Sequence, residues 1–291
     1  MPIAITGAAG QLGRLTAQLV LDRVAPDEVV LVTRRPDAIA DLADTGATVR
    51  HGDFDDPSSL AGAFEGCERM LLISADVLGK RVAQHSAAID AAAASGVGHV
   101  VYTSGENAGG TLPLVVAHEH GATEQAIRDR GLRCTALRNG LYAEFQVGAA
   151  ARAFASGQLV HNNGDGRTAY VSRADCAAAA AVVLTTDGHE DRVYAVTGPA
   201  LVSQADLAAL VAEITGRPVE PVAIDDETAT QALVDVGLPP EMARAYASFG
   251  TAIRKGVLDG VSSAVEDLTG REPRSLREVL EAHRSEIEES A

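Results

Sequence analysis

Apolar residues recur along this chain in two alternating rhythms. Short runs bounded by Gly, Pro or Asp, at residues 3–6, 29–32, 48–51, 70–73, 99–103 and 134–137, predict strands. Between them, residues 11–23, 81–94 and 119–130 carry the wider spacing of helices packed on a sheet. Strands that alternate with helices imply right-handed crossovers and a parallel sheet covered on both faces. The expected fold class is therefore α/β, a Rossmann-type doubly wound parallel sheet.

After Asn139 the rhythm changes. Helices are predicted near 143–155 and 173–184, turn chemistry at Asn162-Asn163-Gly164-Asp165-Gly166, and one more strand at 191–196. From Ser203 onward the pattern is mainly helical, broken at Gly216-Arg217-Pro218 and Leu238-Pro239-Pro240. We expect a dinucleotide-binding domain over 1–140, completed by 173–197. A smaller, mainly helical lobe would comprise 141–172 and 198–291, with the substrate cleft between the two at the carboxyl ends of the strands.

The chemistry begins at Thr6-Gly7-Ala8-Ala9-Gly10-Gln11-Leu12-Gly13, which follows an apolar strand and opens an amphipathic helix. Gly7 suits a tight turn, Gly10 a close backbone approach to a pyrophosphate, and Gly13 tight packing of helix on strand; the helix start supplies N–H groups and a positive dipole end. At the end of the second strand, where NAD-binding proteins carry an acid for the ribose 2′-hydroxyl, stand Arg34 and Arg35. Arg34 can pair with a 2′-phosphate that an acid would repel, so NADPH is expected to bind more tightly than NADH. Asp53 and Phe54 after the third strand are placed to meet the adenine, and Ser74, Ala75 and Asp76 after the fourth to meet the ribose and pyrophosphate.

Charge narrows the partners. The formal net charge is −16, which opposes a nucleic-acid surface built on clustered Lys and Arg. Three widely spaced cysteines with no CxxC pair indicate neither a disulfide framework nor a thiolate metal site. His118 and His120, two apart on a helix, point about 200° apart and do not chelate one ion, so no metal is expected. No run is long and apolar enough for a membrane span, no signal-peptide pattern opens the chain, and a cytoplasmic location is expected. The expected ligand is a small aromatic or quinone-like molecule, with a homodimer the one macromolecular partnership left open.

The proton donor of short-chain dehydrogenases, a Tyr-x-x-x-Lys pair, is missing: Tyr102, Tyr142, Tyr170, Tyr194 and Tyr246 precede Glu106, Gln146, Ala174, Gly198 and Gly250 by four. Simple ketone reduction needs a positioned acid. Quinones, which give a weakly basic phenolate, and cationic dyes, which a hydride neutralises, do not. A non-catalytic NADP(H) sensor fits the same absence.

Six segments together carry a family likeness: the loop Thr6 to Gly13, Arg34, Val49-Arg50-His51-Gly52-Asp53, Leu71-Leu72-Ile73-Ser74, Tyr102-Thr103-Ser104 and Leu137-Arg138-Asn139-Gly140-Leu141-Tyr142. With them the chain resembles the NmrA-like atypical short-chain dehydrogenases, most of all their quinone- and triarylmethane-dye-reducing branches. The resemblance implies NADPH bound by the Gly7 loop, Arg34, Ser74 to Asp76, Thr103 and Arg138 to Tyr142, with Asn139 and Tyr142 nearest the hydride. It implies hydride transfer to a quinone or similar electrophile without flavin. Residues 241–256 depart from that pattern, so the acceptor is not carried over. His120, one helical turn before Glu124, is expected at the cleft, titrating near neutrality. Tyr142 with Phe145, and Tyr246 with Phe249, share helix faces suited to core packing or to a flat ring.

Overall fold

A computed structural model describes residues 2–110 and 114–289. The first half runs β1 (Ile3–Thr6), α1 (Gln11–Leu21), β2 (Val29–Thr33), α2 (Ala40–Ala43), β3 (Thr48–His51), β4 (Arg69–Leu72), α3 (Arg81–Ala94), β5 (His99–Gly105), α4 (Val115–Asp129) and β6 (Arg133–Asn139). The second half continues α5 (Phe145–Ser156), β7 (Gln158–His161), β8 (Arg167–Thr168), α6 (Arg173–Thr185), β9 (Val193–Val196), β10 (Val202–Ser203), α7 (Gln204–Thr215) and β11 (Glu220–Ala223). It ends with α8 (Asp226–Asp235), α9 (Pro240–Arg254), α10 (Ala264–Thr269), α11 (Leu276–Ala282) and α12 (Arg284–Glu289).

Seven strands form one sheet in the order β3-β2-β1-β4-β5-β6-β9, every neighbouring pair parallel. This is the expected doubly wound Rossmann-type fold. Strand order reverses between β1 and β4, so the loops leaving those two strands part and open a crevice.

Side-chain alternation builds the two faces. Ile3, Ile5, Leu31, Leu71, Val101 and Leu137 pack with α1 and α6 on one side, while Ala4, Val30, Val32, Met70, Leu72 and Val100 pack with α3 and α4 on the other. The alanine run of α6 is buried all round, which lets α6 press against α1. A third core joins α5, α7, α11 and α12 through Val147, Leu207, Val211, Val279, Leu280 and Ile287. Val265 and Leu268 of α10 return to the α6 face of the sheet.

Strand ends follow the ladder beyond the apolar runs. β5 pairs with β6 as far as Ser104 with Arg138 and Gly105 with Asn139, carrying polar residues two positions past the predicted ends.

The turn after β1 is held by sterics. Gly7 has φ 61°, the left-handed region in which a side chain is strained. A Cβ on Gly13 would lie 2.2 Å from the Gly7 carbonyl oxygen, so that glycine seats α1 on the turn itself rather than on the strand. Gly13→Ala is expected to destabilise the protein by about 1–3 kcal/mol, since neither backbone can yield cheaply. Urea denaturation measures it; unchanged stability would show that the close approach is not required.

Candidate active site

Two adjoining cavities occupy the crevice. The smaller, about 280 Å³, is lined by Gly7, Ala9, Gly10, Thr33, Arg34, Arg35, Asp53, Phe54, Ser74 to Val77 and Gln84. The larger, about 450 Å³, runs from Gly10 to Gly13 past Ser74, Asp76, Glu106, His120, Asn139 and Tyr142 to Phe145, Tyr246 and Phe249. Both touch Gly7 and Gly10, so the start of α1 is the hinge of one continuous cleft.

No side chain caps the N-terminus of α1 and no acid stands in its first turn. Its positive dipole end therefore faces the crevice without a competing internal anion. The residues fit a dinucleotide on a steric test as well: a Cβ on Gly10 would approach the Gly7 carbonyl to 3.2 Å and one on Gly13 to 2.2 Å, so the turn leaves only backbone where a pyrophosphate must come close. Arg34 and Arg35 are exposed at the far end, and neither forms an ion pair among the described residues.

The loop after β4 is shaped from behind. Ile73 N–H donates to Thr6 Oγ1 at 2.9 Å, Ser74 N–H to Thr103 Oγ1 at 2.9 Å, and Ala75 N–H to His85 Nε2 at 2.9 Å. Thr103 thus positions the loop without lining either cavity, and His85 does the same unannounced by the sequence pattern. His85 accepts at Nε2, so its Nδ1 carries the proton and faces Thr123 Oγ1 at 2.9 Å. Burial, assisted by Arg81, lowers its pKa to about 3. Arg81 donates to the Ala75 carbonyl and, at 2.7 Å, to Glu119, a buried pair that ties the loop to α3 and α4.

At the ends of β5 and β6 the expectations divide. Asn139 lines the large cavity, with Oδ1 buried and unpartnered among the described residues while Nδ2 donates to Tyr142 Oη at 3.3 Å. Burial holds the Tyr142 phenol well above its ordinary pKa, so it stays protonated. Arg173 lies 4.9 Å from the ring centroids of both Tyr142 and Phe145. Gly140 joins the wall, but Arg138 does not: its guanidinium forks onto Glu124 with two hydrogen bonds of 3.0 Å, and Ser104 completes that carboxylate at 2.7 Å. Ala8 is fully buried, with its N–H donating to the Val32 carbonyl.

His120 lies on the cleft wall as expected, but its expected titration near neutrality is overturned. Its Nδ1 is 2.7 Å from Tyr102 Oη, and burial, with Arg81 and His85 nearby, lowers its pKa to about 3. Glu106 is the group that the sequence pattern did not single out. It lines the large cavity, its Oε2 is buried with no partner among the described residues, and burial together with Asp259 pushes its carboxyl up to about 7.

Residues 7–187 match the NAD(P)H-binding family. The chain belongs to that family. Quinone oxidoreductase 2 of Escherichia coli is 38% identical over 95% of this chain and 96% of its own length. NAD(P)H azoreductase of Xenophilus azovorans is 28% identical over 97% of both. The structure of an Escherichia coli NADPH-dependent quinone oxidoreductase with NADPH superposes with TM-score 0.92 at 37% identity, covering 97% of this chain and 99% of that one. Citrobacter sp. triphenylmethane reductase with NADP(H) gives 0.89 at 34% identity over the same shares. Within the family the chain is an NAD(P)H-dependent oxidoreductase, and its relatives include an NmrA-like oxidoreductase of Aspergillus flavus, 29% identical over 76% of this chain.

The buried histidines make stability depend on pH with a definite sign. Their folded pKa values lie below the ordinary 6.5. The stability they contribute is therefore complete above about pH 6.5 and is lost as pH falls toward 3. Between pH 6.5 and 5 each is expected to cost about 1.5 kcal/mol. Urea denaturation of wild type against His85→Asn/His120→Asn measures it; equal pH slopes would refute neutral burial.

Proposed function

We propose that the protein passes hydride from NADPH directly to a quinone or a similarly flat conjugated electrophile, without flavin. The observation that carries the reading is the large cavity, which runs unbroken from the start of α1 to an aromatic mouth. Phe145 is 62% exposed and Tyr246 51% exposed there, with Phe249 beside them. Exposed rings on two separate helices, facing one cleft, suit offset stacking on a planar acceptor.

When bound, NADPH supplies the hydride from its nicotinamide ring. The amide end of α1 and Gly10 would hold the pyrophosphate, and Ser74 to Asp76 would wall the ribose. Arg34 would grip the 2′-phosphate, and Asp53, Phe54 and the buried Gln84, whose Oε1 has no partner among the described residues, would bound the adenine. Asn139 offers its free Oδ1 to the carboxamide, while Tyr142, braced by Arg173, fixes Asn139 from the other side. Leu114, Ala117 and Leu258 close an apolar patch at the cavity wall, which excludes water from the reacting atoms. Catalysis is then mainly proximity and orientation.

Cationic triarylmethane or azo dyes are the second reading. Asp76 lines the cavity and Asp259 acts on Glu106 beside it, so a delocalised cation would meet negative charge.

Two measurements test the proposal. Arg34→Ala should weaken NADPH by about 1–3 kcal/mol and leave NADH nearly unchanged, because only the phosphate ester meets the guanidinium. Calorimetry with both nucleotides decides, and equal losses would remove Arg34 from the role. Tyr246→Ala is expected to raise KM for a naphthoquinone several-fold, the loss of about 1 kcal/mol of stacking, with NADPH affinity unaltered. Binding of NADPH with no oxidation by any quinone or dye would favour a sensor over an enzyme.

A further inference from the structure

Glu106 is the first residue past β5. Its N–H donates to the Asn139 carbonyl at 3.2 Å, so it starts level with the end of β6, and its side chain enters the large cavity. The turn that carries it is tightly held. Asn107 has φ 57°, a conformation non-glycine residues seldom adopt. Gly109 N–H donates to the Ala117 carbonyl at 2.9 Å, and a Cβ on Gly121 would lie 2.6 Å from Gly109 Cα, so the turn rests directly on α4.

Two glycines make room for the carboxyl. A Cβ on Gly140 would come within 3.4 Å of Oε2, and one on Gly260 within 3.4 Å of Oε1. The cations that share this cavity or its edge are engaged elsewhere: Arg81 with Glu119, Arg138 with Glu124 and Arg173 with Glu144. From the segment after α9 the facing group is Asp259; α4 contributes neutral His120, and the loop after β6 contributes Tyr142 with its proton in place. Among the described residues nothing there stabilises a carboxylate. Burial first and Asp259 second push the Glu106 carboxyl up to about 7, which leaves it substantially protonated at neutral pH yet acidic enough to protonate a phenolate of pKa about 10.

We propose that Glu106 is the proton donor of this cleft, serving a reduced acceptor oxygen in the place of the absent Tyr-x-x-x-Lys pair. The inference rests on the reductase reading above and widens its acceptor class to conjugated carbonyl compounds whose reduction requires a proton. Two-electron reduction leaves negative charge on the acceptor oxygen. The Glu106 O–H bond breaks with its electron pair remaining on the carboxylate, a new O–H bond forms on the acceptor, and solvent returns a proton to Glu106. NADPH, acceptor and one proton thus yield NADP⁺ and the reduced acceptor.

The carboxyl is tested first in the protein without nucleotide. Infrared difference spectra against Glu106→Gln should show a protonated carboxyl titrating with a midpoint near 7, lowered in Asp259→Asn. A midpoint in the ordinary carboxylate range overturns the proposal. Turnover is then compared for a quinone, which takes up hydride and proton, and a cationic triarylmethane dye, which takes up hydride alone. Glu106→Gln should lower kcat for the quinone about a hundredfold, the low end of general acid catalysis, as suits a weak base. The loss with the dye should be smaller by an order of magnitude, and Glu106→Asp should restore part of the quinone rate. Equal losses with both acceptors, or none with the quinone, remove Glu106 from catalysis. If wild type oxidises NADPH with neither acceptor, the reductase reading falls and the donor role with it, a failure the infrared midpoint separates from failure of Glu106 to hold its proton.

Discussion

The contact between α1 and the Gly7 turn governs the layout of the cleft. With a Cβ on Gly13 the helix could not approach, since that atom would stand 2.2 Å from the Gly7 carbonyl oxygen. Because it does approach, the N-terminus of α1 opens directly between β1 and β4, where the strand order reverses. The alanine surface of α6 then presses α1 into place from behind, so a small-residue interface behind the helix sets the position of the amides that open into the crevice.

Around that hinge the fold resolves its buried polar groups with unusual economy of charge. Thr6, Thr103 and neutral His85 take the three N–H groups leaving β4, and Glu124 absorbs Arg138 and Ser104 at the ends of β5 and β6. Each satisfied donor removes a competitor for the ligand and stiffens the wall. Of the eight buried side-chain polar atoms without a partner among the described residues, three face the cleft: Gln84 Oε1 on the smaller cavity, Asn139 Oδ1 and Glu106 Oε2 on the larger.

Much of the sheet was legible because strands covered on both faces are continuous apolar runs, as in β1; the edge strand β3 matches its predicted bounds although it is only partly buried. β5 and β6 ran longer because main-chain pairing continues through Ser104, Gly105, Arg138 and Asn139, where side-chain polarity gives no warning. The Gly7 loop and Asn139 were legible from motif and placement. Arg138 was misplaced because its partner, Glu124, comes from the facing helix, a tertiary contact that spacing does not reveal. His120 has the type of residue that titrates near neutrality, but burial against Tyr102 decides otherwise. Glu106 lies outside the Tyr-x-x-x-Lys pattern, in which no carboxyl takes part. The available signal was an acid immediately after β5, at the carboxyl edge of a parallel sheet.

Residues 158–254 separate anchoring from the proposed acceptor surface. Asp226 at the start of α8 accepts from Asn162, Thr251 and Arg254, binding α8, α9 and the turn after β7 into one unit. Gly250 and Gly166 permit this, since a Cβ on either would strike Asn162 or the Ile253 carbonyl. Tyr246 and Phe249 lie on α9 but take no part in that network; they face the cavity. Substitution there changes the surface offered to an acceptor while leaving the helix where the polar network holds it. The proposed dinucleotide site belongs to the sheet and α1, whereas the proposed acceptor surface belongs to a few aromatic positions on a separately anchored helix, so substitution at one leaves the other in place.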